Sequence, residues 1–460
     1  MALRFVLNGE PTHVGEADPN LTLLEWLRQS GASGTKEGCG EGECGACAVA
    51  LVGRDGSGRA TYTAVNSCLL PLACVDGQTL VTVEGVADGE RLHPVQEALI
   101  AHGGSQCGYC TPGFVISMFC EYYRPDRSEA DPEAVSGNLC RCTGYRPIVA
   151  ALHSLRKPAP DDARLRTPAL EPRTHGEQSA RFLRPRTLSE LFAQRAAAPE
   201  ATLLAGGTDL MVEVNQRHRR FATLISLAAI GELRRFSLGP SELVLGAGLT
   251  LSELELSLRE HAAPPLLTAL WPLFSSRLVR NRATLGGNLA TASPIGDAAP
   301  CLLALDARLT LASPRGQRSV ALCDFFTGYR QTQCAPDELI VSVHIPLPSA
   351  PLQRFYKVSK RKLDDISTVA GAFALSLDER RVATLRVAYG GVAATPLHAG
   401  ALEQLAAGRP WNRETLELLL TALEPLASPL SDQRGSAAYR KAMMGRLLEK
   451  FWLETGGAES

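Results

Sequence analysis

The most informative stretch of the sequence reads Gly38-Cys39-Gly40-Glu41-Gly42-Glu43-Cys44-Gly45-Ala46-Cys47, and Cys68 follows 21 residues after its last cysteine. The spacing Cys-x4-Cys-x2-Cys with a distant fourth cysteine is that of plant-type [2Fe–2S] proteins. Zinc modules usually pair their cysteines as Cys-x2-Cys, without a four-residue gap. The glycines allow the backbone angles with which a loop can wrap an inorganic core and direct N–H groups at sulfur. The sequence therefore predicts that Cys39, Cys44, Cys47 and Cys68 hold a [2Fe–2S] cluster.

The same stretch also contains a dinucleotide-binding pattern. Residues 40–45 fit G-x-G-x-x-G, which is credible only where a strand runs into a helix. Here the pattern lies among the cysteines, so we interpret it as part of the cluster loop.

A second set of four cysteines is formed by Cys107-x2-Cys110 and Cys140-x-Cys142. Both pairs lie beside predicted helix N-termini, at 112–124 and 147–156, where free N–H groups and the helix dipole favour an anionic core. Taken alone, two such pairs also fit a four-cysteine zinc site. The neighbouring first set favours a second [2Fe–2S] cluster. The remaining cysteines show no partner pattern and are predicted to be packed free thiols: Cys74, Cys120, Cys301, Cys323 and Cys334.

Length, composition and charge limit the class of protein. The chain has 460 residues, which suggests about two to four domains. With 45% apolar and 21% charged residues, disorder, coiled coil and collagen are excluded. A net charge of −1 gives no basic signal for nucleic acid or a membrane surface. Neither a signal peptide nor an apolar spanning segment is recognisable, so we expect a soluble cytoplasmic protein. Ten of its 13 cysteines lie within residues 39–142, a density that indicates metal binding in that compartment.

The chain is predicted to be an α+β multidomain protein. Residues 1–86 suit a small α+β unit, 87–156 a bundle of short helices that includes one at 131–137, and 157–180 a proline-rich linker. Residues 181–350 suit an α/β domain, and 351–460 an α+β domain that ends in helices at 413–424 and 436–453. Beyond the linker, strands are predicted at 201–205, 223–226, 242–247, 308–312, 339–345, 368–376 and 382–389.

Two segments of the α/β part suit a polar cofactor. In residues 201–211 a strand runs into Gly206-Gly207, and such glycines let N–H groups close on a pyrophosphate. Two glycines alone fit an ordinary turn equally well. Residues 282–297 add a run rich in small and hydroxyl side chains, with one carboxylate.

The cysteine stretches, with 106–113 and 137–147, resemble the iron–sulfur domains of the molybdenum hydroxylases. This family includes xanthine dehydrogenases, aldehyde oxidases and carbon monoxide dehydrogenases. The two polar segments resemble the family's FAD domain. The resemblance implies a ferredoxin-like β-grasp domain over 1–86 and a four-helix [2Fe–2S] domain over 87–156. It further implies an FAD-binding domain like that of vanillyl-alcohol oxidase over 181–350, and a C-terminal domain like that of carbon monoxide dehydrogenase flavoproteins over 351–460.

The resemblance also implies individual contacts. Those to FAD come from Leu203, Leu204, Ala205, Gly206, Gly207, Thr208, Asp209, Leu210, Phe274, Thr284, Leu285, Gly286, Gly287, Asn288, Asp297, Ile340 and Lys357. Phe274 matches the aromatic that stacks on adenine, and Ile340 and Lys357 match contacts to the flavin ring. By residue type alone, Phe274 and Ile340 also suit a plain core and Lys357 a solvated charge. The charged run 360–366 matches a segment beside the flavin that could bias the site towards NAD or oxygen.

The domain order on one polypeptide resembles the small subunit of bacterial xanthine dehydrogenases. That implies an NAD acceptor, and a partner chain that carries the molybdenum–pterin cofactor in an α2β2 heterotetramer. Substrate oxidation would then occur on the partner, with Gln106 and Cys142 against its pterin and no catalytic residue on this chain. Electrons would pass from the partner to the second cysteine set, then the first, then FAD. Alternatives are the equivalent subunit for an aldehyde or another N-heterocycle, a stand-alone NADH-oxidising reductase, and a non-catalytic redox sensor.

Overall fold

A computed structural model describes residues 3–125, 127–170, 180–261 and 263–456. It divides into two compact units, Met1–Ala229 with Ser276–Ala283, and Ile230–Ser275 with Thr284–Ser460. The chain therefore crosses between the units three times. Among the described residues, no helix combines the length and the apolar character needed to cross a bilayer.

The first unit begins with a five-stranded sheet in the order β2-β1-β5-β3-β4, in which β1 and β5 are parallel. Its elements are β1 (Leu3–Leu7), β2 (Glu10–Val14), α1 (Leu23–Gln29), β3 (Ala48–Arg54), β4 (Ala60–Asn66) and β5 (Thr79–Val81). Asn8 and Gly9 both have positive φ, as a tight hairpin between β1 and β2 requires. Thr22 caps α1, whose leucines are buried in the core of the sheet.

A helical region follows, with α2 (Pro94–Ala101), α3 (Thr111–Tyr122) and α4 (Arg146–Ser154). The helix predicted over 131–137 is only a 3₁₀ turn, Pro132–Val135. The turn is closed by i→i+3 hydrogen bonds, such as Ser136 N to Glu133 O at 3.0 Å, and Gly137, a poor helix former, follows it directly. Part of the predicted linker is packed, because Leu165 is buried and Arg164 donates to the carbonyl of Val86. Residues 171–179 of that prediction lie outside the described residues.

The first unit ends with a small parallel sheet in the order β6-β8-β7. Its elements are β6 (Phe182–Leu183), α5 (Leu188–Ala197), β7 (Thr202–Leu204), α6 (Leu210–Arg217) and β8 (Leu224–Ser226). The apolar side chains of this sheet and of α6 lie in one core with those of α1 and the first sheet. A single helical turn, Arg277–Arg280, also belongs to this unit.

The second unit contains a five-stranded sheet (β12-β11-β15-β10-β9), a two-stranded one (β13-β14) and a four-stranded one (β16-β17-β18-β19). Its strands are β9 (Phe236–Leu238), β10 (Glu242–Gly246), β11 (Arg308–Ser313), β12 (Gly316–Ala321), β13 (Phe326–Gly328), β14 (Gln331–Thr332), β15 (Leu339–Pro346), β16 (Leu352–Val358), β17 (Val369–Asp378), β18 (Arg381–Gly390) and β19 (Leu397–His398). Its helices are α7 (Leu251–Arg259), α8 (Pro265–Leu270), α9 (Leu285–Ala290), α10 (Ala298–Ala304), α11 (Gly400–Ala406), α12 (Arg413–Leu423) and α13 (Ala437–Glu454), with a helical turn at Leu322–Phe325. Phe373 of β17 stacks on Phe451 of α13 at 4.9 Å between ring centroids.

The predicted α+β class is confirmed, and every strand predicted beyond the linker is present within two residues of its expected ends. The predicted division into four domains and a linker stays a prediction.

Candidate cofactor sites

The first cysteine set lies in the loop between α1 and β3 and in a 3₁₀ turn after β4. Its four side chains approach one another in two pairs. Cys47 Sγ lies 3.3 Å from Cys68 Sγ. A side-chain hydrogen bond joins Cys39 to Cys44, and it lowers the pKa of Cys39 to about 5. The predicted ligands thus form two close pairs, Cys39 with Cys44 and Cys47 with Cys68.

Glycine conformation explains how this loop turns. Gly40, Gly42 and Gly45 have φ of +68°, +86° and +62°, a region that side chains with a Cβ avoid. A Cβ on Gly38 would lie 2.7 Å from Cys44 Sγ. With the glycines in place, the amides of Cys39 and Glu41 each point at a cysteine sulfur at 3.4 Å. Backbone donors therefore face the sulfurs, as a cluster loop requires.

The second cysteine set lies at the starts of α3 and α4. Cys110 is the residue that precedes α3, and Cys142 lies four residues before α4. Hydrogen bonds between thiols again make two pairs, Cys110 with Cys140 and Cys107 with Cys142. The hydroxyl and amide of Thr143 donate to Cys140 Sγ at 3.1 and 3.4 Å.

The pairing bears on which metal the cysteines suit. Within the described residues, no three His, Cys, Asp or Glu side chains converge as a single ion would require. In a [2Fe–2S] cluster, four cysteines serve two irons, two to each. The two thiol pairs of the second set match that arrangement, whereas the zinc alternative raised for this set needs all four sulfurs around one ion.

The two cysteine loops are in direct contact. The amide of Leu139 donates to the Cys44 carbonyl at 3.0 Å, and Asn138 Nδ2 donates to the Gly45 carbonyl at 3.2 Å. The hydroxyl of Tyr109 donates to the Glu37 carbonyl. Gly113 makes this approach possible, because a Cβ there would lie 2.2 Å from Gly45 O.

The predicted FAD contacts fall on both compact units. Residues 203–210 belong to the first unit, where β7 leads through Gly206-Gly207 into α6. Gly207 has φ of +84°. A Cβ on Gly206 would lie 2.1 Å from Arg282 O, so the backbone there can be that close only with glycine. A strand, a glycine turn and a helix N-terminus suit a phosphate.

In the second unit, Thr284 to Asn288 form the start of α9. Thr284 Oγ1 accepts from the amide of Gly287 at 3.1 Å and caps the helix. A Cβ on Gly286 would lie 2.7 Å from Ala247 Cβ. Phe274 and Ile340 are each 7% exposed, which suits a core residue and a residue beside a ring equally.

Lys357 is not a solvated charge. Its Nζ lies 2.8 Å from Asp297 Oδ2, and these side chains are only 2% and 4% exposed. It also donates to the Leu273 carbonyl at 2.7 Å, and the hydroxyl of Ser367 donates to Asp297. Burial raises the pKa of Asp297, and the Lys357 ammonium opposes that rise. Two of the predicted FAD contacts, Lys357 and Asp297, thus form one buried ion pair. Ser367, which also bonds Asp297, was not predicted from the sequence.

The other predicted features are outside these clusters. Within the run 360–366, Lys360 donates to the Gln433 carbonyl at 2.7 Å and Asp365 lies 3.7 Å from Arg434. Of the cysteines outside the two sets, Cys120 and Cys301 are buried, and burial raises the pKa of both thiols. Cys323 is exposed, so its prediction as a packed thiol is wrong.

Comparison with protein families gives four matches in chain order. A 2Fe-2S iron-sulfur cluster binding domain matches residues 5–75, and a [2Fe-2S] binding domain matches 82–153. The FAD binding domain in molybdopterin dehydrogenase matches 178–348, and the CO dehydrogenase flavoprotein C-terminal domain matches 354–455. The implied fold class, two [2Fe–2S] domains and two flavoprotein domains, is confirmed.

Individual proteins with similar sequences include xanthine dehydrogenases. Xanthine dehydrogenase of Emericella nidulans is 33% identical over 98% of this chain, and the rat xanthine dehydrogenase/oxidase is 32% identical over 98%. The chain spans only about two fifths of those relatives, 38% and 39%.

Solved structures with a similar fold include carbon monoxide dehydrogenase of Oligotropha carboxidovorans, at 27% identity and a TM-score of 0.56 over 60% of this chain and 97% of that one. Another is quinoline 2-oxidoreductase of Pseudomonas putida 86, at 26% identity and a TM-score of 0.56 over 61% of this chain and 98% of that one. With four domain families in this order, the chain belongs to the molybdenum hydroxylases, as an iron–sulfur and FAD chain of that family.

Proposed function

We propose that this chain is the electron-transfer subunit of a xanthine dehydrogenase of the bacterial small-subunit type. In this proposal a partner chain with a molybdenum–pterin cofactor oxidises hypoxanthine and xanthine to urate, and the electrons reach NAD through this chain. The cysteines of the first set (39, 44, 47, 68) and of the second set (107, 110, 140, 142) hold two [2Fe–2S] clusters. Residues 203–210, Phe274, 284–288, Asp297, Ile340 and Lys357 hold FAD.

The observation that carries the proposal is the contact between two paired-cysteine loops within one compact unit. Clusters that carry single electrons, together with a flavin that exchanges one or two, supply a relay between a two-electron donor and a hydride acceptor. In this proposal, residues of this chain fix the distances between the two clusters and the flavin. Leu139, Asn138 and Gly113 do so at the contact between the two loops.

The second cysteine site supplies the face towards the partner. Gln106, Cys107 and Cys142 are exposed. Two aromatic side chains beside them, Tyr109 and Tyr145, are 51% and 38% exposed. Apolar surface next to thiols that are proposed to hold a cluster suits a docking face for the electron donor. We therefore place entry of electrons at this site and their exit towards the first site and the flavin.

The choice of substrate rests on the xanthine dehydrogenases, which align over 98% of the chain. The structural relatives act, by their names, on carbon monoxide and quinoline. A subunit for another N-heterocycle or an aldehyde is the second candidate. NAD as acceptor and an α2β2 assembly belong to the same proposal.

The test is purification of the tagged chain from its native host with its bound partners, followed by assay of xanthine-dependent NAD reduction. Activity together with stoichiometric molybdenum, iron and FAD is the expected result. A complex with all three cofactors that oxidises quinoline or an aldehyde, but not xanthine, would favour the second candidate. Iron and flavin with no molybdenum partner, and oxidation of NADH alone, would support a stand-alone reductase instead.

A further inference from the structure

The helix α6 contacts the first cysteine loop through two amide side chains near its C-terminal end. Asn215 Nδ2 donates to the carbonyls of Gly40 and Cys68, at 2.7 and 2.8 Å. Gln216 Nε2 donates to the carbonyl of Cys39 at 2.6 Å. Two of these three carbonyls belong to proposed iron ligands.

The conformation of the loop explains why these hydrogen bonds form. A loop that turns its N–H groups towards sulfur turns carbonyl oxygens away from it, and each such oxygen needs a donor or water. A donor on the outer oxygen polarises the peptide, so its N–H on the inner side binds sulfur more strongly. Glycine at position 40 leaves room for the Gln216 side chain, because a Cβ there would lie 3.2 Å from Gln216 Nε2. Its φ of +68° also favours glycine.

The other end of α6 begins at the glycine turn of the proposed FAD site. Met211 N donates to Gly207 O at 2.9 Å, and a Cβ on Gly207 would lie 3.0 Å from Leu69 O. Met211 and Val214 are buried in the core that also contains Leu69. The helix is about 12 Å long; its C-terminal end contacts the cysteine loop, and its N-terminal end packs against Leu69 in the turn that contains Cys68.

We infer that Asn215 and Gln216 are positioning residues for the first [2Fe–2S] cluster, and that α6 holds this cluster and the glycine turn at a fixed separation. The two amides set the orientation of the peptides around the cluster and hence its reduction potential. This inference rests on the proposed cluster ligands, but not on the proposed substrate, partner or acceptor.

Asn215→Asp in the full chain tests the inference. The change keeps the shape of the side chain but replaces a donor to two carbonyls with a negative charge. A carboxylate there disfavours the reduced, more negative cluster and weakens the peptide dipoles that support it. We expect a negative shift in the midpoint potential of the first cluster and changed g values, measured by redox titration with electron paramagnetic resonance. The second cluster is an internal reference and should keep its potential.

Arg217→Gln is the matched control, because it changes the charge of the same helix by −1, as Asn215→Asp does, but Arg217 pairs with Glu213 at 3.1 Å and not with the loop. It should leave both clusters unchanged. If Asn215→Asp loses its iron, Gln216→Leu, at an exposed position, provides a second test. We expect it to shift the midpoint potential of the first cluster in the same direction by a smaller amount. Normal iron content with unmoved potentials in both loop variants, or an equal shift in the control, would overturn the inference alone. An unaltered chain that binds no iron would overturn the proposed function and this inference together.

Discussion

The contact between the two cysteine loops depends on the absence of a side chain at Gly113. This glycine lies in the first turn of α3, where alanine would normally raise helix stability by about 1 kcal/mol. In this protein, however, the added Cβ would lie 2.2 Å from Gly45 O, a backbone atom that cannot rotate away. Gly113→Ala therefore has two opposite effects on stability: a gain in helix propensity and a loss from the clash with the Gly45 backbone.

The geometry gives the size of the effect. The loops must separate by about 0.8 Å before the new contact reaches 3.0 Å, the shortest approach that Cβ atoms make in practice. Overpacking of this kind costs about 1–3 kcal/mol. Separation also lengthens the bonds from Leu139 N and Asn138 Nδ2, each worth about 1 kcal/mol. After the gain of about 1 kcal/mol in helix propensity is subtracted, we expect a net loss of about 2–4 kcal/mol, and about 2–4 °C in Tm for each kcal/mol.

The assay is thermal loss of cluster signal in visible circular dichroism, combined with the magnetic interaction between the two reduced clusters. Gly113→Ala should lower the transition temperature and weaken that interaction. Gly445→Ala is the control, since it is also helical but its Cβ would lie 3.5 Å from Leu420 Cδ2, an ordinary contact. It should be neutral or slightly stabilising. If the two variants behave alike, backbone contact at Gly113 does not hold the loops together.

Three further changes test other parts of the structure. Arg277→Met removes a largely buried cation from three carboxylates and should cost about 3–5 kcal/mol. Arg413→Met, which breaks a solvent-exposed pair, should change thermal stability little, and equal losses would contradict the argument from burial. Lys357→Met leaves Asp297 buried with a pKa that burial already raises, so the loss of stability should be largest at neutral pH and shrink as the pH falls towards that pKa; a loss independent of pH in denaturant titrations would refute it. In the proposed relay, Cys110→Ser should abolish one of the two cluster signals and xanthine-driven NAD reduction but keep NADH-driven dye reduction, whereas loss of both activities in a folded variant would contradict the assigned order of electron transfer.

Local patterns made much of this protein predictable. The cysteine spacings place eight thiols in two groups, and the structure brings each group together in pairs. The helices predicted at 112–124 and 147–156 begin within one residue of the observed starts of α3 and α4. Such signals work because they depend on a few adjacent residues.

Features built from distant parts of the chain were not predictable. Ser367 and Asp297 are 70 residues apart, and Asn215 lies 175 residues from Gly40. No local pattern marks an amide that will meet a carbonyl at such a separation. The proline-rich segment after residue 156 is a similar case, because composition predicts a linker there but Leu165 is buried against a domain that precedes it.

The core shared by α6 and the first sheet has a consequence for dividing the gene. A cut between Leu170 and Ala180 would follow the domain families, yet it would leave Leu204, Met211, Val214 and Phe221 without their apolar neighbours in α1 and the turn at Cys68. Two polypeptides made from such a cut would have to reassociate through that surface to keep it from water. The surface that is an interior in the single chain would then be a subunit interface.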